Sequence, residues 1–385
     1  MAATEVQRLR NQMTDPVDAQ FFERYGVRTD LALEAHQVIV DHEGPPEIPG
    51  VRVVNEQTDH ASISRVSITS DEGARMMGKI RGNYITIESE AFRQHNKEAQ
   101  EEVAQTVAQE ISRFLEHIGL AEDACVLVIG LGNWNATPDS VGPKVVGQLM
   151  ITRHLYEMSP PELRGGLRPL AAMAPGVLGL TGIETAEIVM GVADRIKPDL
   201  VICVDALASR SSERVCSTIQ LADSGIHPGS GVGNKRMAIS RETLGVPVLA
   251  IGVPTVVHAV TIAGDAMELL AQEMGFRPPV GLDDWPPQVS GRLDPRRIRV
   301  RETDPSAVEQ EGPRHDAFGL PVDPQQKRYM IAQLLQPYMG SMIVTPKDID
   351  AYIDDISTTV AGALNAALHP ALDLTEIANY LSRTR

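Results

Sequence analysis

Short apolar segments alternate with stretches of helical periodicity through the middle of the chain. The apolar segments CVLVIG, LVICV and VPVLAIG, at residues 125–130, 200–204 and 246–252, are typical of buried strands. Helical periodicity separates them at about residues 139–158 and 184–196. Strands that alternate with helices predict right-handed crossovers. We therefore expect an α/β fold with three layers, in which a mostly parallel sheet carries helices on both faces.

Two alternating segments and one amphipathic segment precede this region. Residues 61–70 and 83–89 alternate between apolar and polar side chains, which indicates half-buried strands. Residues 93–120 carry apolar side chains at helical spacing, which predicts a helix with one buried face. Three further helices are predicted near the C-terminus, at about residues 326–340, 347–367 and 373–383.

The predicted domain organisation is a leader followed by one domain. The chain has 385 residues, and domains average about 150 residues. Residues 1–30 are polar and charged, so we interpret them as a removable leader. Residues 31–385 are predicted to form a single α/β domain, with a proline-rich insertion at about 275–325.

Charge and composition exclude several classes of function. The chain carries 35 Lys and Arg against 51 Asp and Glu, for a net charge of −16. This charge argues against a broad nucleic-acid surface, which has to neutralise phosphates. The longest apolar stretch, Val246 to Gly264, contains two prolines and a histidine, so it predicts a strand and a helix and not a membrane span. We expect no direct contact with nucleic acid or membrane.

Cysteine usage and the N-terminus indicate a reducing, internal compartment. The three cysteines have no C-x-x-C spacing, which argues against a disulfide framework and a zinc knuckle. Cys125 and Cys203 lie in apolar segments, where inert core thiols are common. The polar N-terminus excludes a secretory signal.

Two glycine-rich segments do not match the established nucleotide-binding motifs. After Gly130 and Gly132, the dinucleotide fingerprint requires glycine where this chain has Asn135. From Gly229 onward, a P-loop requires serine or threonine where this chain has Arg236. Neither segment therefore predicts a nucleotide site.

Two aspartates stand at the predicted ends of two core strands. Asp139 follows the first strand through the loop LGNWNATP and opens a helix, and Asp205 directly follows LVICV. If these strands are neighbours, the carboxylates converge at the edge of the sheet where ligands bind. Like charges at close range do not both ionise cheaply, so one carboxyl group holds a proton while the other acts as a base. This division suits the attack of water on an amide.

Both aspartates also have a purely structural interpretation. Asp139 follows a proline and precedes a helix, which is where an N-cap residue belongs. Asp205 either caps a turn or pairs with Arg210. The sequence pattern leaves these alternatives open.

The segment after Ile226 supplies weaker candidates. His227 is either a third site group or metal ligand, or a turn histidine before Pro228. Gly229, Gly231 and Gly233 supply either backbone flexibility or N–H donors to an oxyanion.

Several long segments carry a pattern in common with a known family. The segments are VRTDLALEAH (27–36), GNYITIES (82–89), GLGNWNATPDSVGPKVV (130–146), APGVLGLTGIET (174–185), DALASR (205–210) and SGIHPGSGVGNKR (224–236). Together and in this order they resemble the germination protease family of spore-forming bacteria, peptidase family A25. The resemblance runs from Val27 to about Gly264, is weak through the proline-rich stretch, and returns loosely in the C-terminal helices.

The resemblance implies an atypical aspartic-type endopeptidase that degrades small acid-soluble spore proteins during germination, with no cofactor and no resident metal. It further implies an α/β fold related to the hydrogenase-maturation endopeptidases, a homotetramer, and synthesis as a zymogen in the cytoplasm of the forespore, the later spore core. The catalytic pair of the family falls on Asp139 and Asp205, the two residues that the strand pattern had already indicated.

The resemblance also implies self-processing. The self-cleavage site of the family resembles its substrate site, an acidic residue followed by a large apolar residue and alanine. Asp30, Leu31 and Ala32 match this pattern, so we expect the cut between Asp30 and Leu31. The alternative is that Asp30 only caps a helix in LALEAH.

Two other interpretations of the site stay open. Hydrogenase-maturation enzymes use acidic residues and a histidine around nickel, which would make His227 a metal ligand. A different class altogether is a non-proteolytic α/β protein that binds a phosphate-bearing small molecule at its glycine-rich loops.

Overall fold

The computed structural model describes residues 31–34, 36, 48–160, 168–226, 237–259, 261–263, 266 and 342–370. The predicted leader, the proline-rich stretch and the helices predicted at 326–340 and 373–383 lie outside these residues. The chain divides into two compact units, one formed by Met1–His258 with Ile343–Arg385 and the other by Ala259–Met342. Residues 261–263 of the second unit are helical.

Nine strands in the described part of the first unit form one mixed sheet. The strands are β1 (Val51–Gln57), β2 (Ser62–Ile68), β3 (Gly82–Glu88), β4 (Val126–Gly130), β5 (Leu170–Met173), β6 (Leu200–Ser209), β7 (Thr218–Ala222), β8 (Val248–His258) and β9 (Ile343–Val344). Their order in the sheet is β1-β2-β3-β7-β8-β6-β4-β5, and β9 pairs with β8.

The centre of the sheet is parallel and its extension is antiparallel. Strands β8, β6, β4 and β5 pair in parallel, as the alternation of strands and helices predicted. Strands β1, β2, β3 and β7 continue the sheet in antiparallel pairs. The alternating segments at 61–70 and 83–89 form β2 and β3, whereas β1, β5 and β7 were not predicted.

Helices cover both faces of the sheet. They are α1 (Asp71–Met77), α2 (Lys97–His117), α3 (Val141–Val146), α4 (Arg153–Met158), α5 (Leu178–Thr181), α6 (Thr185–Ile196), α7 (Arg241–Leu244) and α8 (Ile349–Leu368). One face of the sheet packs against α2, α3 and α8, and the other packs against α1 and α6. The predicted three-layer α/β class is thereby confirmed.

The local sequence accounts for the start and the buried face of helix α2. The side chain of Asn96 caps its N-terminus by accepting the N–H of Ala99 at 3.2 Å. Val103, Val107 and Ile111 follow at four-residue spacing and are buried against the sheet. The helix therefore begins at Lys97, a few residues after the predicted start at 93.

The prediction of one helix at about residues 139–158 is wrong, because the helical backbone is interrupted between α3 and α4. Helix α3 ends at Val146, and the N–H of Met150 donates to Asn365 of α8 at 2.9 Å. The hydroxyl of Thr152 donates to the carbonyl of Arg168 and accepts the N–H of Leu170, at the start of β5. These tertiary hydrogen bonds replace the helical ones, so a continuous periodicity yields two short helices.

Candidate active site

Asp205 lies inside strand β6, not after its end as the sequence predicted. The strand continues to Ser209 because β8 pairs with it along this length, up to Ser209 opposite Val257. On the other side of β6, the neighbouring strand β4 ends at Gly130, opposite Val204. Asp205 is therefore the first residue of β6 beyond the end of β4. Its side chain is buried, with 6% of the residue exposed.

Asp139 lies in the loop that leaves the carboxyl end of β4. It ends a 3₁₀ turn, Thr137–Asp139, and its Oδ2 accepts the N–H of Asn133 at 2.8 Å. Gly132 has a φ of +115°, and a Cβ there would lie 2.0 Å from the carbonyl oxygen of Asp139. The loop therefore closes on itself at a position that only glycine fits. Ser140 occupies the N-cap position of α3, so Asp139 is not the helix cap that the alternative interpretation required.

Backbone contacts tie this loop to β6. The N–H of Leu131 donates to the carbonyl of Val204, the residue before Asp205, at 2.8 Å. The 3₁₀ turn that ends in Asp139 also contacts β6 and β8. Strands β4 and β6 are neighbours, which was the condition for the two aspartates to converge, and both aspartates stand at the same edge of the sheet.

The surroundings of Asp205 contain no reactive thiol. Asp205 Oδ1 accepts the N–H of Ala206 at 2.9 Å. Burial raises the pKa of the Cys203 thiol far above its usual range, and the charge of Asp205 raises it further. Burial also raises the pKa of the Cys216 thiol to about 12. Because a thiolate is the nucleophilic form of cysteine, neither buried residue suits nucleophilic catalysis.

A polar row crosses the sheet at the level of Asp205. Asp205 pairs with Gly252 of β8, and Gly252 pairs on its other side with Gln220 of β7. Residues directly paired across a sheet point to the same face, so the side chains of Asp205 and Gln220 share one face. Gln220 is 6% exposed, and its Oε1 accepts the N–H of Ala32 at 2.7 Å. Sequence reasoning missed Gln220, for which the only signal is one amide side chain inside the apolar run TIQLA.

Exposed apolar side chains lie in the loop beyond β4 and in the segment after β5, which includes helix α5. The indole of Trp134 is half exposed, and it packs so closely over Gly176 that a Cβ there would lie 2.9 Å from the ring. The exposed apolar side chains of these two segments, which we call the apolar rim, are Trp134, Leu178, Leu180 and Ile183. The rim offers an apolar surface near the carboxyl edge of the parallel strands.

The remaining predicted site residues lie outside the described residues. They are Asp30, His227, Gly229, Gly231 and Gly233, so their processing, metal and oxyanion roles stay predictions. Within the described ranges, no cluster of three or more His, Cys, Asp and Glu side chains is arranged to hold a metal ion. No helix in those ranges has the length and apolar character to cross a membrane.

Comparison with solved structures gives a weak match. A [NiFe] hydrogenase maturation protease, HycI from Thermococcus kodakarensis KOD1, matches 37% of this chain and 80% of its own, with 21% sequence identity. The TM-score is 0.24, which is too low to carry an argument.

Comparison with protein sequences gives a far stronger match. The model of the germination protease family matches residues 32–381. The germination protease of Bacillus licheniformis is 45% identical over 352 residues, which cover 90% of this chain and 94% of that protein. The germination protease of Geobacillus sp. strain WCH70 is 42% identical over 368 residues, which cover 92% and 97%. With matches of this extent and identity along nearly the whole chain, the protein belongs to the germination protease family.

Proposed function

We propose that the protein is an endopeptidase that starts the degradation of small acid-soluble spore proteins during germination. In this proposal it is an aspartic-type enzyme of the forespore and spore core, it forms a homotetramer, and it is synthesised as a zymogen. Its membership of a protease family supports the reaction class, and the name germination protease of relatives from Bacillus and Geobacillus supports the biological setting.

One observation carries the catalytic part of the proposal. The Leu131–Val204 hydrogen bond fixes the loop of Asp139 to the strand of Asp205, at the point where β4 has ended and β6 continues. Two carboxyl groups at one edge of a parallel sheet stand where ligands of such sheets bind. Neither residue needs a metal or a thiol for the chemistry that follows.

The proposed mechanism divides general acid and general base between the two aspartates. One carboxylate removes a proton from a water molecule, whose oxygen attacks the carbonyl carbon of the peptide bond. The other aspartate, protonated, donates its proton to the carbonyl oxygen, so that a neutral diol forms. As the diol collapses and the C–N bond breaks, the first aspartate gives its proton to the leaving nitrogen and the second aspartate takes back a proton from a diol hydroxyl. The two aspartates are interchangeable in this scheme until experiment separates them.

Substrate recognition in this proposal uses the surroundings of the pair. The apolar rim suits the large apolar residue that follows the cleaved bond. The N–H groups of Gly229, Gly231 and Gly233 would donate hydrogen bonds to the carbonyl oxygen, which carries partial negative charge until the proton is fully transferred. Because the substrates coat DNA, the enzyme needs no basic surface of its own, and a net charge of −16 is compatible with this role.

The zymogen part of the proposal concerns the bond between Asp30 and Leu31. Leu31 and Ala32 are fully buried, and Ala32 contacts Gln220 in the polar row that contains Asp205. Because Gln220 and Asp205 share one face of the sheet, Ala32 is held on the face that carries Asp205, which supports processing by the protein itself.

The test is the loss of activity in two isosteric variants. We expect Asp139→Asn and Asp205→Asn each to lower kcat for a small acid-soluble spore protein by about 10²–10⁴-fold, the usual contribution of a general acid or base. Asp350→Asn, which changes an exposed aspartate in the first turn of α8, is the matched control and keeps the wild-type rate. Thermal unfolding verifies that each variant is folded. Folded Asp139→Asn and Asp205→Asn proteins with full activity would contradict the proposal.

A further inference from the structure

The chain that follows the expected cut is held at two separate points. The first is the hydrogen bond from the N–H of Ala32 to Gln220 Oε1, which is buried and joins residues 188 positions apart. Ala32 also packs in the apolar cluster between the sheet and α6, where it is fully buried. The second residue after the expected cut therefore has a fixed place on the face of the sheet that carries Asp205.

The second point is the carboxylate of Glu34, which is 3% exposed and surrounded by donors. Its Oε1 accepts the hydroxyl of Ser209 at 3.1 Å and the N–H of Ser211 at 3.1 Å. Its Oε2 accepts the N–H of Arg210 at 3.0 Å, and the Arg214 guanidinium lies 3.3 Å from Oε1. A buried carboxylate with several charge-assisted contacts is a strong anchor. We call these contacts of Glu34 the carboxylate clamp.

The two attachment points lie at different places relative to Asp205, one on strand β7 and one at the end of its own strand β6. Gln220 stands two strands away from Asp205, at a backbone separation of about 10 Å given the usual strand spacing. Ser209 of the clamp lies four residues further along β6. The segment from Ala32 to Glu34 therefore connects Gln220 of β7 to the carboxyl end of β6 in a fixed register.

The polar row also contains a buried hydroxyl beside Gln220. Thr86 of β3 pairs with Gln220, is fully buried, and its Oγ1 has no hydrogen-bond partner among the described residues. Buried hydroxyl groups are nearly always paired in folded proteins. A peptide that crosses this row would meet both the amide of Gln220 and the hydroxyl of Thr86.

We propose that Gln220 is a positioning residue for self-processing, and that the carboxylate clamp on Glu34 sets which peptide bond is presented to the aspartates. This inference rests on the proposed self-processing between Asp30 and Leu31. Gln220 holds the backbone N–H of the second residue after the cut, and Glu34 anchors the fourth. Two anchors that are two residues apart in the chain allow one register, so a single bond is cut. Neither residue takes part in the proton transfers.

The experiment follows processing of the full-length protein, with the new N-terminus read by mass spectrometry. We expect Gln220→Met, which keeps the shape but lacks the acceptor, to slow the cut at Leu31 about tenfold, as the loss of one buried hydrogen bond predicts. Gln220→Glu keeps an acceptor oxygen and recovers part of this rate. Gln100→Met is the matched control, because Gln100 is also buried and its two hydrogen bonds go to Ala91 and Asp355, which belong to neither the polar row nor the carboxylate clamp. It stays within about twofold of the wild-type rate.

The register is tested separately with Glu34→Gln. We expect this variant to yield several N-termini instead of one. A variant that is only less stable would be cut more slowly or degraded, but the N-terminus produced by self-processing would still be Leu31. This measurement decides the inference even if Gln220→Met fails to fold. A Gln220→Met protein cut as fast as wild type, or a single start at Leu31 in Glu34→Gln, would overturn the inference and leave the proposed function intact. If the wild-type protein is never cut at Leu31, the processing proposal and this inference fall together.

Discussion

Gly142 packs directly against the carbonyl oxygen of Val204. A Cβ at Gly142 would lie 2.5 Å from this oxygen and 2.3 Å from the carbonyl oxygen of Leu131. The first turn of α3 therefore rests on the backbone that joins the Asp139 loop to β6. The relative position of the two candidate catalytic aspartates depends on this glycine.

Gly142→Ala is expected to displace the Asp139 loop. Both clashing atoms belong to the backbone, so the methyl group is accommodated only by a shift of main chain. We expect the free energy of unfolding to fall by about 1–3 kcal/mol, as for other overpacked sites. Peptidase activity should fall by about 10- to 100-fold, because a misplacement of about 1 Å has a large effect on catalysis. Urea denaturation and kcat/KM measure the two effects.

Gly191→Ala is the matched control for this change. Gly191 lies in the middle of α6, and nothing lies within 4 Å of the position of its Cβ. Alanine there is expected to stabilise the protein by about 0.5–1 kcal/mol with no effect on activity. Wild-type stability and activity in Gly142→Ala would show that the close packing at Gly142 is not required.

Asp355 is expected to make stability depend on pH at the acidic end. It is a buried carboxylate of α8 that accepts hydrogen bonds from His95 at 3.0 Å, from Gln100 at 3.0 Å and from Lys97. Partial burial acts to raise the pKa of Asp355, but these three hydrogen bonds outweigh it and hold the pKa below its usual value of 3.8. The stability that the carboxylate contributes is therefore present above the unfolded pKa and is lost as pH falls through the folded pKa.

The corresponding variant is Asp355→Asn. We expect it to lower the free energy of unfolding by about 1–3 kcal/mol at pH 7, the range for hydrogen bonds to charged groups. The difference from wild type should shrink as the pH is lowered below 3.8, which urea denaturation from pH 7 to pH 3 measures. Asp350→Asn, at an exposed position of the same helix, should show no such convergence. A difference that stays constant down to pH 3 would mean that the charge of Asp355 contributes nothing.

Thiol reagents are expected to leave the enzyme active. Cys203 and Cys216 are fully buried, and burial raises the pKa of both thiols. Cys125 is partly exposed, and burial raises the pKa of its thiol as well. In the native protein a colorimetric thiol reagent should therefore detect at most one slowly reacting cysteine, against three in denaturant. Loss of activity on alkylation that persists in Cys125→Ser would point to a role for a buried thiol.

Much of the core could be predicted because its strands are buried on both faces. Such strands appear as continuous apolar runs, and they became β4, β6 and the first part of β8. The lengths of the strands could not be predicted in the same way. Strand β6 continues past its apolar run because β8 supplies hydrogen-bond partners through Ser209, a fact about a neighbour 48 residues further along the chain.

The same distinction applies to the site. Asp139 and Asp205 were found because each follows an apolar strand segment in the sequence, and their pairing at one edge followed from the adjacency of β4 and β6. Glu34 carries no local signal, and the only signal at Gln220 is a single amide inside the apolar run TIQLA, which does not reveal its partner. Their importance arises from contacts between distant parts of the chain, at Ala32 and at Arg214.

The amino-acid sequence by itself determined the α/β class, the parallel centre of the sheet and helix α2, and it identified the two aspartates as candidates. Each of these depends on local periodicity or on the end of an apolar run. Only the tertiary structure decided where β6 ends and why the helix predicted after Asp139 is interrupted. It also decided how Ala32 and Glu34 are held, through Gln220 and the carboxylate clamp. Each of these depends on a hydrogen-bond partner that is remote in sequence. A backbone N–H or C=O group pairs with a partner that lies close to it only in the folded chain, so the local pattern of side chains does not indicate that partner.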